Sequence, residues 1–110
     1  MVTISILYPN ESGARFDYAY YTEVHMPRSI AWLSEHPGFK GVSVERGLSG
    51  TSPGSPPAYL AMCHFQFTTT EAFLEAFMPH AAELQGDIPN YTSVQALIQV
   101  NEVLIHRGES

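Results

Sequence analysis

The sequence predicts an α+β domain of the ferredoxin-like kind, βαββαβ, with an antiparallel four-stranded sheet and two helices on one face. Three observations predict it. Strand-like stretches fall at 2–8, 39–50, 59–67 and within 91–105. Two helical patterns separate the first from the second and the third from the fourth. The halves also echo each other, since Met26-Pro27 and Met78-Pro79 fall at the same depth in their helices. Each half then reads as a βαβ unit, and right-handed crossovers put both helices on the same side.

In the first strand Val2, Ile4, Ile6 and Tyr8 point one way, and Thr3, Ser5 and Leu7 the other. Pro9, Asn10, Ser12 and Gly13 make a loop. The first helix follows, in FDYAYYTEVHMPRSIAWL (16–33), with Asp17 as its cap. Counting in fours aligns Asp17, Tyr21 and His25 on one side, with Tyr20 about 100° away and assigned to the core. Pro27 has no N–H for the carbonyl of Glu23 and disfavours a helical Met26, so a kink or break is expected directly after His25. The helix resumes as RSIAWLSEH and ends at Pro37-Gly38.

The second strand carries Val42, Val44 and Leu48, and TSPGSPP (51–57) is a surface loop. In the third, Tyr59, Ala61, Cys63, Phe65 and Phe67 share one face, and Leu60, Met62, His64 and Gln66 the other. Thr68 with Glu71 spells a capping box for a helix from Thr69 to about Gly86, interrupted by Pro79. Asp87-Ile88-Pro89-Asn90 is a connection to the last strand.

Two helices cover only one side of such a sheet. The other side carries Leu7, Leu60, Met62, Leu97, Val103 and Ile105 among Ser5, His64, Gln66 and Gln99. Four strands spaced about 4.8 Å apart present roughly 350–400 Å², which meets or exceeds the largest apolar patch a monomer usually shows. A homodimer with the sheets face to face is the expected solution.

Composition removes several function classes. The chain of 110 residues has room for a single domain with its own core. A net charge of −6 argues against nucleic acid, and scattered basic residues against a membrane surface. No apolar run approaches the roughly 18 residues of a membrane helix. Cys63 is the one cysteine, which leaves no intrachain disulfide and no zinc cluster. No histidine pair has metal-ligand spacing, so neither metal nor cofactor is expected, and a cytoplasmic location is. Phosphate loops and the G-x-S-x-G elbow are missing.

The segments YPN, FDYAYYTEVHMP, GFKGVSVERGLSG, PPAYLAMCHFQF, EAFMPHAAEL and DIPNYTSVQALIQVNEV together resemble the EthD-like family of the dimeric α+β barrel superfamily. YY-x₃-HMP is the most distinctive of them. The resemblance implies a ferredoxin-like monomer that pairs into a barrel. It also implies a setting in small-molecule metabolism, where distant members include lactone isomerases and cofactor-free monooxygenases.

His25 matches the histidine of that motif and is the candidate general acid/base, since imidazole titrates near neutrality. Its alternative is a packed histidine bonded to the carbonyl that Pro27 leaves free. Tyr21, one turn earlier, can hold the tautomer of His25 or donate to a substrate oxygen. Tyr8 and Cys63 are candidates for the walls of the same pocket, Cys63 being otherwise a small buried apolar residue. His64 points toward the barrel interior, where with Gln66 and Gln99 it lines a polar ligand site or forms a network at the dimer interface, and His80 lies near a possible pocket mouth or in solvent. His36 and His106 read as surface residues.

Two functions follow. One is a cofactor-independent enzyme of lyase, isomerase or oxygenase type, using His25 for proton transfer on a small hydrophobic cyclic or aromatic metabolite. The other is a non-catalytic dimeric binding or accessory protein for an oxygenase or degradation pathway. A pocket of a few hundred Å³ beside His25 is the expectation of an enzyme or a carrier, and solid packing there that of a purely structural role.

Overall fold

The four stretches of alternating residues form one antiparallel sheet in a computed structural model that describes residues 1–108. The strands are β1 (Val2–Pro9), β2 (Phe39–Arg46), β3 (Tyr59–Phe67) and β4 (Leu97–Glu102), in the spatial order β2-β3-β1-β4. With two helices on one side, this is the ferredoxin-like α+β fold that the sequence predicts.

The register fixes the faces. Ile4, Ile6 and Tyr8 stand opposite Phe65, Cys63 and Ala61, and Val42 and Val44 extend that row across β2. This face turns to the helices and holds the core. Ser5 pairs with His64 and Leu7 with Met62 on the opposite face. Gln99 and Leu97 of β4 continue that row beside Ser5 and Leu7. Its apolar residues are only partly covered, Leu97 being 52% exposed.

The first helix does not break. It runs through α1 (Tyr18–Tyr20), a π-helical turn (Tyr21–His25) and α2 (Met26–Leu33). Asp17 caps it as expected, Oδ1 accepting from the Tyr20 N–H at 3.1 Å. Met26 stays helical, with φ −69° and ψ −41°, and its N–H donates to the Tyr21 carbonyl, five residues back. The wider turn draws the backbone away from the proline ring, and Pro27 then sits in the first turn of α2, where a missing N–H costs little. A bulge thus replaces the expected kink.

The second helical stretch is interrupted at its proline as predicted. α3 (Thr70–Phe77) passes through a 3₁₀ turn (Met78–His80) into α4 (Ala81–Asp87). Its cap is Thr69, not Thr68, with the Ala72 N–H donating to Oγ1 at 3.0 Å. After a further 3₁₀ turn (Ile88–Asn90), the chain does not enter the last strand at once. Tyr91, Thr92 and Val94 run beneath the first helix and are buried. The Tyr91 carbonyl accepts from the Asp17 N–H at 2.7 Å, and β4 begins only at Leu97.

Candidate functional site

The π-turn sets the site. In a regular α-helix Tyr20 would lie about 140° round the axis from His25. The wider turn brings the residue five back alongside His25, so Tyr20 and Tyr21 flank it from the same side. The end of α4 meets them there with Asp87, 7% exposed.

Asp87 is the hub. Its Oδ1 accepts from the Tyr20 hydroxyl at 2.6 Å and from Asn90 Nδ2 at 2.9 Å. Its Oδ2 lies 2.9 Å from His25 Nδ1 and 3.2 Å from Arg28 Nη2. Burial alone would raise this carboxyl, but hydrogen bonds from Tyr20, Asn90 and His25 outweigh it and hold its pKa down at about 2. An ionised carboxylate only accepts, so the proton of the contact must sit on His25 Nδ1.

Burial also pushes the pKa of His25 down, against the opposing bond to Asp87, so the neutral ring is favoured. With the proton on Nδ1, Nε2 carries a lone pair, and the hydrogen bond found for this ring among the described residues is through Nδ1. A buried carboxylate fixing the tautomer of a neutral imidazole makes that second nitrogen a base.

His25 lines a partly open, mostly apolar cavity of about 50 Å³ between the helices and the sheet. Tyr8, Ser29 and Cys63 share its walls with Phe65, Phe73 and Phe77. It is smaller than the few hundred Å³ expected, because these aromatic rings fill the layer. Tyr8 is locked in place, its hydroxyl 2.6 Å from that of Tyr91. Burial raises the phenol of Tyr8 to about 12, so it stays protonated. Burial likewise raises the Cys63 thiol to about 12, which keeps it from acting as a thiolate near neutral pH.

Tyr21 does not hydrogen-bond to His25. Its ring stacks on the imidazole, centroids 6.1 Å apart and 14° between planes. Tyr8 and Phe16 meet the Tyr21 ring edge-on. Its own hydroxyl is buried without a partner. His64 lies on the other face of the sheet, where Nδ1 is 2.8 Å from Ser5 Oγ, so the structure does not bring it to His25. His80 stacks on Trp32 at 4.2 Å and does not line the cavity. His36 is not a free surface group, because it bonds to Glu75 at 2.9 Å and accepts from the Gly38 N–H. No group of residues that could hold a metal ion occurs among the described residues.

Asp87, Tyr20, Asn90 and Tyr91 are the site residues that sequence reasoning missed. Three of them lie in DIPNY, where Asp87 reads as a linker residue. The signal available was that this segment is among those carrying the family resemblance although its residues show no periodicity.

A family model described as the EthD domain matches residues 11–95. An EthD-like protein from Ralstonia eutropha JMP134 is 42% identical, with 96% of this chain and 94% of that chain covered and a TM-score of 0.87. An ethyl tert-butyl ether D (EthD) family protein from Bacillus halodurans C-125 is 20% identical, with 94% and 99% covered and a TM-score of 0.67. SnoaB, a cofactor-independent oxygenase from Streptomyces nogalater, is 18% identical, with 98% and 97% covered and a TM-score of 0.62, a likeness of fold. No curated protein matches the chain. No helix among the described residues is long and apolar enough to cross a membrane.

Proposed function

The chain belongs to the EthD family, and from that membership together with the Asp87–His25 pair we propose that it is a cofactor-independent enzyme. Its His25 Nε2 takes a proton from a small hydrophobic cyclic or aromatic metabolite. The observation that carries this reading is the 2.9 Å contact from His25 Nδ1 to a buried carboxylate. Asp87 orients the ring and stabilises the imidazolium once the proton arrives. Tyr20, Asn90 and Arg28 hold the carboxylate, and Tyr21 supports the ring by stacking. Tyr8, protonated and on the cavity wall, can donate to an oxygen of the substrate when its hydroxyl accepts from that of Tyr91. Proton abstraction is the common first step of elimination, isomerisation and cofactor-free oxygenation. That a similar fold serves a cofactor-independent oxygenase supports the class without selecting among them.

The working form is a homodimer with the outer sheet faces together. What supports it is the row of Leu7, Met62 and Leu97 on the side away from the helices; Leu60, expected there, falls at a register irregularity and packs against the core. A second reading, a non-catalytic binding or accessory protein, draws on the largely apolar lining of the same cavity.

The test is deuterium uptake from D₂O at the acidic C–H positions of 2-tetralone, followed by NMR. The enzyme reading predicts acceleration over buffer that His25→Ala reduces by about 10²–10⁴-fold, the usual contribution of a positioned base. Acceleration that survives His25→Ala intact would remove His25 from the chemistry. Binding of 2-tetralone without exchange would favour the accessory reading.

A further inference from the structure

Gln85, Ile88, Ala96 and Ile98 line the His25 cavity and also line an open cleft of about 640 Å³ on its outer side. Among the residues lining that cleft, Arg15 is the only charged one. The cavity itself is lined by no carboxylate, lysine or arginine.

Arg15 is held firmly. Its N–H donates to Ser93 Oγ at 2.8 Å. Its carbonyl accepts from Thr92 Oγ1 at 2.7 Å and from the Ser93 N–H at 3.2 Å. Its Nη2 donates to the Pro89 carbonyl at 2.9 Å. That engages one of the guanidinium's donors and leaves the rest of the fork available. No carboxylate among the described residues forms an ion pair with it, although Asp and Glu number 11 in the chain against 5 Lys and Arg. The contrast with two other arginines is direct. Arg28 pairs with Asp87, and Arg46 lies over the ring of Tyr18 at 4.1 Å.

We propose that this cleft is an anion-binding subsite and that the ligand of the His25 cavity is an apolar carboxylic acid. Its carboxylate is received by the Arg15 guanidinium, whose planar fork suits two carboxylate oxygens. Its apolar body passes between Gln85, Ile88, Ala96 and Ile98 toward His25. A single arginine among otherwise uncharged lining residues matches a monoanion better than a phosphate dianion. The proposal rests on reading the His25 cavity as a ligand site.

The experiment is calorimetric titration of the full chain with 3-phenylpropanoate and 4-phenylbutanoate, each against its neutral amide. The wild type is expected to prefer the better-fitting acid over its amide by about five- to tenfold, less at high salt. Arg15→Gln should bind acid and amide alike, at the amide's affinity, and Arg15→Lys should recover part of the preference. Both keep the backbone bonds that anchor residue 15. Ala96→Phe, at the shared wall, should weaken both ligands. An acid preference absent from the wild type, or unchanged in Arg15→Gln, overturns the subsite. Amide binding that Ala96→Phe still abolishes would then leave the His25 cavity reading standing. Arg15-dependent acid binding indifferent to Ala96→Phe would overturn the spanning ligand and the cavity reading together. No binding of any probe by the wild type at millimolar concentration would overturn both.

Discussion

Replacing Asp87 by Asn keeps the shape of the hub and removes its charge. The carboxylate accepts four contacts, from Tyr20, Asn90, His25 and Arg28, and the variant amide can accept only through its one oxygen. The carboxyl's pKa is held at about 2, against an ordinary 3.8. At about 1.4 kcal/mol per pKa unit, that depression corresponds to about 2 kcal/mol of folding stability at neutral pH. The sign follows from the direction. A carboxyl depressed in the folded state stabilises above its unfolded pKa, and the contribution fades as pH falls from about 4 toward about 2. Urea unfolding of wild type and Asp87→Asn at pH 7 and at pH 2.5 reads this directly. The expected gap is about 2 kcal/mol at pH 7 and much less at pH 2.5. Equal stability at pH 7, or a gap that does not close on acidification, would refute the ionised hub.

Tyr21→Phe removes a buried hydroxyl that has no partner. Thermal unfolding should show stability unchanged or raised by about 1 kcal/mol, and a loss of more than that would reveal an unseen hydrogen bond. Gly47→Ala would drive a methyl into the Tyr59 carbonyl and Pro57. The expected cost is about 1–3 kcal/mol by chemical denaturation, and a neutral outcome would mean that the entry to β3 shifts freely. On the outer sheet face, Met62→Asp should convert the proposed homodimer to a monomer in light scattering at micromolar concentration, and a wild type that is already monomeric removes the sheet-to-sheet pairing.

The fold was legible because its strands alternate and the layout of the halves repeats. Ile4, Cys63 and Phe65 could be placed on one face by parity alone, and the register agrees. What parity and helical counting could not give was the site. Tyr20 was set aside as core because α-helical geometry turns it away from His25. The extra residue in the π-turn, which no propensity announces, brings it back. Asp87 was unreadable for another reason. Its role depends on a contact 62 residues distant, and its neighbours Ile88-Pro89-Asn90 look like an ordinary connection. His25, by contrast, stood out because it adjoins Pro27 within a distinctive motif, although its partner proved to be a carboxylate and not a freed carbonyl.

The proposed proton transfer depends on the state of one ring, and ¹⁵N NMR of labelled histidine, titrated through neutral pH, observes it. The prediction is a His25 that at pH 7 is neutral, protonated on Nδ1 with Nε2 bare, and titrates below the ordinary imidazole value. A ring protonated on Nε2 alone, or one still cationic at pH 7, would contradict it.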